Sequence, residues 1–171
     1  MAQRPAIAFL ATLIASFVAA PAVVATGFPD YPGGPLFQGA PVKPRLNTPK
    51  ARRYRTALRR ESAQGPNFNG HYRLATWGCG SSCLDLAVVD LTNGRVWFAP
   101  TEYCAAARSE GQGKPVWIDA RIDSRLFYRY DCQMTKETAC PDDAPNRRHA
   151  YVWTHEGVKS LGAECVPETG P

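Results

Sequence analysis

Cys79 and Cys83 stand four apart in GHYRLATWGCGSSC, residues 70–83, with His71 and Trp77 just upstream. Thiols at that spacing beside an imidazole fit three chemistries: ligation of a soft metal, disulfide exchange, or nucleophilic attack by a thiolate that a histidine activates. Each one needs partners from the rest of the chain. Zinc sites closed by cysteine usually combine one close pair with a second, and Cys104, Cys132, Cys140 and Cys165 are spread too widely to supply it. Thioredoxin-type sites use C-x-x-C at a helix start, whereas this spacing is one residue longer and lies among strand formers. A Cys79 nucleophile with His71, His149 or His155 as base would face a second thiol four residues away. Ser81 and Ser82 lack the G-x-S-x-G elbow. The remaining reading is a staple, because Gly80-Ser81-Ser82 lets the chain fold back until Cys79 meets Cys83.

The N-terminal residues weigh these readings against one another. Residues 1–4 carry one positive charge, residues 5–20 are uncharged and almost wholly apolar, and small residues lead to Ala22 and Ala25. That pattern predicts a signal peptide over residues 1–25. Its apolar core, bounded by Pro5 and Pro21, falls short of the ~20 residues a spanning helix needs. The expectation is a periplasmic or secreted protein without a transmembrane segment after cleavage. In an oxidising compartment six cysteines, an even number, read first as disulfides. Spacing pairs Cys79 with Cys83 and Cys132 with Cys140, and elimination leaves Cys104 with Cys165.

Charge is unevenly placed. The chain carries +5 in all, but residues 26–64 hold eight Lys/Arg against two acids, while residues 65–171 hold eleven against thirteen. Much of the excess lies on one expected helix over residues 49–63. Thr48-Pro49 supplies a capping hydroxyl and a proline at the first helical position, Ala51, Tyr54 and Leu58 form an apolar stripe, and Gly65-Pro66 ends it. Arg52, Arg53, Arg59 and Arg60 then face outward, as a solvated surface or as a dock for an anionic envelope component, a glycan or a protein. Nucleic acid is a poor partner outside the cytoplasm. Ahead of the helix, residues 26–48 are too rich in Pro and Gly for regular structure, and Phe28, Tyr31, Leu36, Phe37 and Leu46 suit an extended leader partly draped over the domain.

From Gly70 the pattern changes to strands. Asn93-Gly94 joins two apolar runs, the strongest short hairpin signal, while Asp123-Ser124 and residues 155–157 mark two further hairpins. The expected fold is α+β and mostly β: one domain over residues 49–171, an antiparallel meander of about seven strands stapled by disulfides, with the basic helix on one face. Tyr72, Trp77 and the other aromatics read as core and cross-strand pairs, of which a fraction can line a binding face.

Gly65-Pro66-Asn67-Phe68-x-Gly70-His71-Tyr72, then Trp77-Gly78-Cys79-Gly80-x-x-Cys83, then Asp90-x-x-Asn93-Gly94 and Ser124-Arg125-Leu126, resembles a pattern shared by a group of small exported bacterial proteins of unknown function. The resemblance spans about residues 65–161 and implies export and a β-rich domain. No motif assembles nucleophile, base and orienting group at a recognisable spacing. The function expected is therefore an exported non-catalytic binding or inhibitor-type envelope accessory domain, with His71, Tyr72, Trp77 and the four arginines as candidate binding residues. No catalytic residue, cofactor or metal is assigned. A Cys/His-dependent periplasmic hydrolase and a metal-binding protein are the alternatives.

Overall fold

The structure, a computed structural model, describes residues 27–80, 83–98, 103–104, 118–130, 140–142, 144 and 146–167. The expected signal peptide and Cys132 lie outside the described residues. Eight strands form two antiparallel sheets. The first sheet holds β1 (Tyr72–Gly80), β2 (Cys83–Asp90), β3 (Val96–Phe98) and β4 (Tyr103–Cys104), with β3 and β4 both paired to β2. The second runs in the order β5 (Ile118–Ala120), β6 (Leu126–Tyr130), β7 (Asn146–Thr154), β8 (Gly157–Val166). All three expected hairpin turns are present, and the meander is divided between two sheets.

Strand alternation dictates how these layers stack. On one face of the first sheet Leu74, Leu86 and Val88 pack with Phe127 and Trp153 of the second sheet, and Phe68 fills the gap between them. Phe68 and Phe127 are fully buried and meet edge to face at 5.6 Å. Burial of each such side chain stabilises the fold by roughly 1.5–3 kcal/mol. On the opposite face Ala75, Trp77, Ala87 and Val89 pack under Ala51 and Leu58 of the helical segment. β2 is thus covered on both sides.

The Thr48 hydroxyl accepts the Ala51 N–H at 3.1 Å and caps the helical segment as its sequence predicts. The single helix expected over 49–63 is two, α1 (Pro49–Arg53) and α2 (Arg55–Ser62). The break falls at Tyr54, whose ring tilts onto Trp77 at 5.0 Å. The pair is pinned to the sheet at both ends, by Lys50 Nζ 3.1 Å from the buried Asp85 carboxylate and by Arg73 3.1 Å from Glu61. No helix among the described residues is long and apolar enough to cross a membrane.

The leader is a belt. Phe28 meets Tyr128 edge to face at 5.2 Å on the outer face of the second sheet, where Tyr31 joins it. From there the chain passes three turns in succession. The Gly33 N–H donates to Asp123 O at 2.7 Å, that of Phe37 to Gly70 O at 3.0 Å, and those of Val42 and Arg45 to Leu91 O and Gly94 O at 2.9 and 2.7 Å. Phe37 and Leu46 then enter the core beneath the helices. These backbone bonds explain how a Pro-rich run without secondary structure holds one path. Burial pushes the Tyr128 phenol above its ordinary range, against the opposing pull of Arg148.

One disulfide corrects two expected pairings. Cys140 is bonded to Cys165, with their Cα atoms 5.6 Å apart, so neither Cys132 with Cys140 nor Cys104 with Cys165 forms. The sheet register decides the matter: Cys165 lies opposite Arg147 near the start of β7, and Cys140 turns in just ahead of that strand. Nearness in sequence was the wrong guide because the bond closes across β7 and β8. Cys79 is also disulfide-bonded, and among the described residues no cysteine is free. The side chains of Cys83 and Cys104 lie outside the described set, and with them the expected pairing of Cys79 with Cys83.

Candidate functional site

The residues of the resembling pattern mostly build turns. Asn67 accepts the Leu74 N–H through Oδ1 at 2.8 Å and donates to Leu74 O through Nδ2 at 3.2 Å, which fixes the entry to β1. Gly70 has φ +75°, and a Cβ there would lie 2.4 Å from the carbonyl oxygens of both Gly34 and Pro35 in the belt. Gly94 has φ +76°, and its Cβ would lie 2.3 Å from Lys43 O. Only glycine fits positions where the backbone turns left-handed and another chain segment crosses this closely. The Asp90 carboxylate caps the Asn93-Gly94 turn, accepting from the Thr92 N–H and hydroxyl and from Asn93 Nδ2. The Ser124 hydroxyl meets the belt at Phe28 O and Tyr31 O, at 3.1 and 2.7 Å. Three of the four motif blocks are seats of the belt.

His71 is not used up in this way. It stacks on Tyr72 with ring centroids 4.0 Å apart, and Tyr72 in turn meets Trp153 edge to face at 5.1 Å. Its Nε2 lies 3.9 Å from Asp90 Oδ1, and a quarter of the side chain is exposed. Above it opens a cleft of about 900 Å³. Four segments line this cleft: Gly34 of the belt, the Asn69–Tyr72 turn, Arg125 at the entry to β6, and residues 153–159 of the β7–β8 hairpin. Cation, imidazole, amide, hydroxyl and aromatic groups converge there from positions up to 125 residues apart, at a volume suited to a small ligand.

No protein-family model, curated protein or solved structure matches the chain.

The structure brings together two of the expected binding residues, His71 and Tyr72. It places Trp77 elsewhere, 7% exposed beneath Tyr54 and Phe98, as a core residue. Arg52, Arg53, Arg59 and Arg60 are exposed on the helices, as expected. Two have local partners: Arg52 donates to Leu46 O and Asn47 O, and Arg60 pairs with Glu61 at 3.3 Å. Arg53 lies over the Tyr54 ring, and Arg59 borders a separate groove of about 520 Å³ against Lys43.

The thiol chemistries lose their partners. Cys79 is disulfide-bonded and stands eight residues along β1 from His71, roughly 26 Å in an extended strand. Among the described residues no three His, Cys, Asp or Glu side chains converge as metal ligands do. Within the cleft the Thr154 hydroxyl donates to Gly157 O at 3.0 Å. Sequence reasoning missed Arg125, Asn69 and Lys159. Arg125 had a signal, since Ser124-Arg125-Leu126 recurs with Gly-His-Tyr in the pattern. Lys159 had none, because its place follows from the packing of one sheet on the other.

Proposed function

We propose that the protein is an exported, disulfide-bonded binding domain, non-catalytic or inhibitor-like, whose ligand sits in the cleft over His71 and Tyr72. One observation carries this reading: polar and aromatic groups from four distant segments face a single opening. The Cys140–Cys165 bond fits an oxidising compartment, and the N-terminal pattern fits delivery there.

A variant that fills the cleft tests the proposal. A Cβ at Gly34 would sit 3.9 Å from His71 Nδ1 and from Asn69 Oδ1, an ordinary contact. Gly34→Tyr therefore projects a ring into the cleft without straining the belt. Fractions of envelope extract that raise the melting temperature of the native protein should leave that of Gly34→Tyr unchanged. Equal shifts in both proteins would place the ligand outside the cleft.

A further inference from the structure

Resting on that reading, we infer that the cleft takes an acidic sugar, a pyranose ring bearing a carboxylate. The charge comes first. Arg125 and Lys159 both line the cleft, and among the described residues neither is in an ion pair. Arg125 is anchored on the belt: its backbone N–H donates to Tyr31 O at 3.0 Å, and its guanidinium lies over the Tyr31 ring at 5.5 Å. A guanidinium fixed in advance loses little freedom on meeting a carboxylate, and such charge-assisted bonds are about twice as strong as neutral ones.

Two acids stand nearby. The Asp90 carboxylate is turned to Thr92 and Asn93 and lies outside the lining, behind His71, with Oδ1 3.9 Å from Nε2. Glu156 lies 3.6 Å from His155 at the hairpin tip, and both side chains are almost fully exposed. Among the described residues the lining itself therefore presents two cations outside any ion pair against one solvated carboxylate.

The rest of the lining favours a sugar ring over an acyl chain or a bare anion. Among the described lining residues Val158 is the only aliphatic side chain, so a lipid tail would find no apolar channel there. Asn69 and His71 instead offer hydrogen-bonding edges suited to ring hydroxyls. The half-buried Tyr72, braced between His71 and Trp153, offers an aromatic surface to the apolar face of a pyranose. A volume of about 900 Å³ accommodates more than one such ring.

The test is calorimetric titration of the full exported protein with four probes: glucuronate, glucose, acetate and tri-glutamate. Glucose lacks the carboxylate, acetate lacks the ring, and tri-glutamate carries acidity on a peptide. Glucuronate should bind at least tenfold more tightly than any of the other three. Arg125→Gln and Lys159→Gln should each reduce that preference at least fivefold, while Arg59→Gln, on the helix, should not. Glucuronate binding no better than acetate or tri-glutamate overturns the inference, as does a preference that survives both cleft substitutions. Failure at the deeper level has a different signature. If glucose binds as well as glucuronate and Gly34→Tyr abolishes both, the cleft reading stands and the acidic preference falls. If Gly34→Tyr leaves glucuronate binding intact, the cleft reading falls as well.

Discussion

At the His71 end of β1 the belt crosses three turns, two glycines admit it at contact distance, and four segments surround a cleft. At the far end, roughly 26 Å away, Gly78, Cys79 and Gly80 run out of the core. Gly80 has φ +152° with nothing within 4 Å of where a Cβ would stand. Cys79 is locked in a disulfide there, and the Cys140–Cys165 bond closes the corresponding end of the second sheet. The far end holds the densest run of reactive residue types in the sequence, and its bonds are the kind that hold a fold closed. The near end holds residues that look ordinary one by one and form a site only together. A ligand site needs groups that long-range packing aims at one volume, and so does the Cys140–Cys165 bond, which joins residues 25 apart in sequence.

Substitutions at the two ends should separate them. Gly70→Ala must relieve two 2.4 Å overlaps with the belt in addition to left-handed strain, and should cost about 3 kcal/mol in urea unfolding. Gly80→Ala meets no neighbour and should cost about 1 kcal/mol. Equal losses would mean that the belt is not seated on Gly70. Asp90→Ala tests the same end through its turn, where three accepted hydrogen bonds are lost and the half-buried Asn93 amide is left without its acceptor. A destabilisation of about 2 kcal/mol is expected, and faster proteolysis within residues 35–47 should accompany it.

The smallest effect concerns pH. Tyr128, beneath the start of the belt, has its pKa raised by burial. A raised value means that the folded state holds its proton when the unfolded chain has lost it. Its contribution is therefore complete below the ordinary tyrosine range near ~10 and is lost as pH rises through the folded value. Tyr128→Phe should flatten the alkaline end of the stability profile and leave neutral pH nearly unchanged. An identical alkaline slope would show that the start of the belt does not cover this ring.

What was legible in the sequence is what is decided locally. Thr48-Pro49 caps a helix because a hydroxyl and a fixed φ act within one turn. Asn93-Gly94 makes a hairpin because Gly94 accepts positive φ and the Asn93 side chain accepts the Arg95 N–H within the same turn. The α+β, mostly β class followed from such signals. Tyr54 breaking the helix was not legible, since the cause is Trp77 beneath it. Cys140 finding Cys165 was not legible either, because only the β7–β8 register brings them together. The site lay half in view. His71 and Tyr72 stood inside one conspicuous motif block and Arg125 inside another, but nothing in the spacing brings those blocks or Lys159 to one cleft.

The central claim, a ligand site at the His71 end and a structural closure at the Cys79 end, is tested most directly by mapping backbone amide shifts during titration with glucuronate. Shifts should concentrate at residues 69–72, at Arg125 and along residues 153–159, and should be absent from residues 77–80 and from α1 and α2. Shifts centred on Cys79 or on the arginine-bearing helices, with the cleft unmoved, would contradict it.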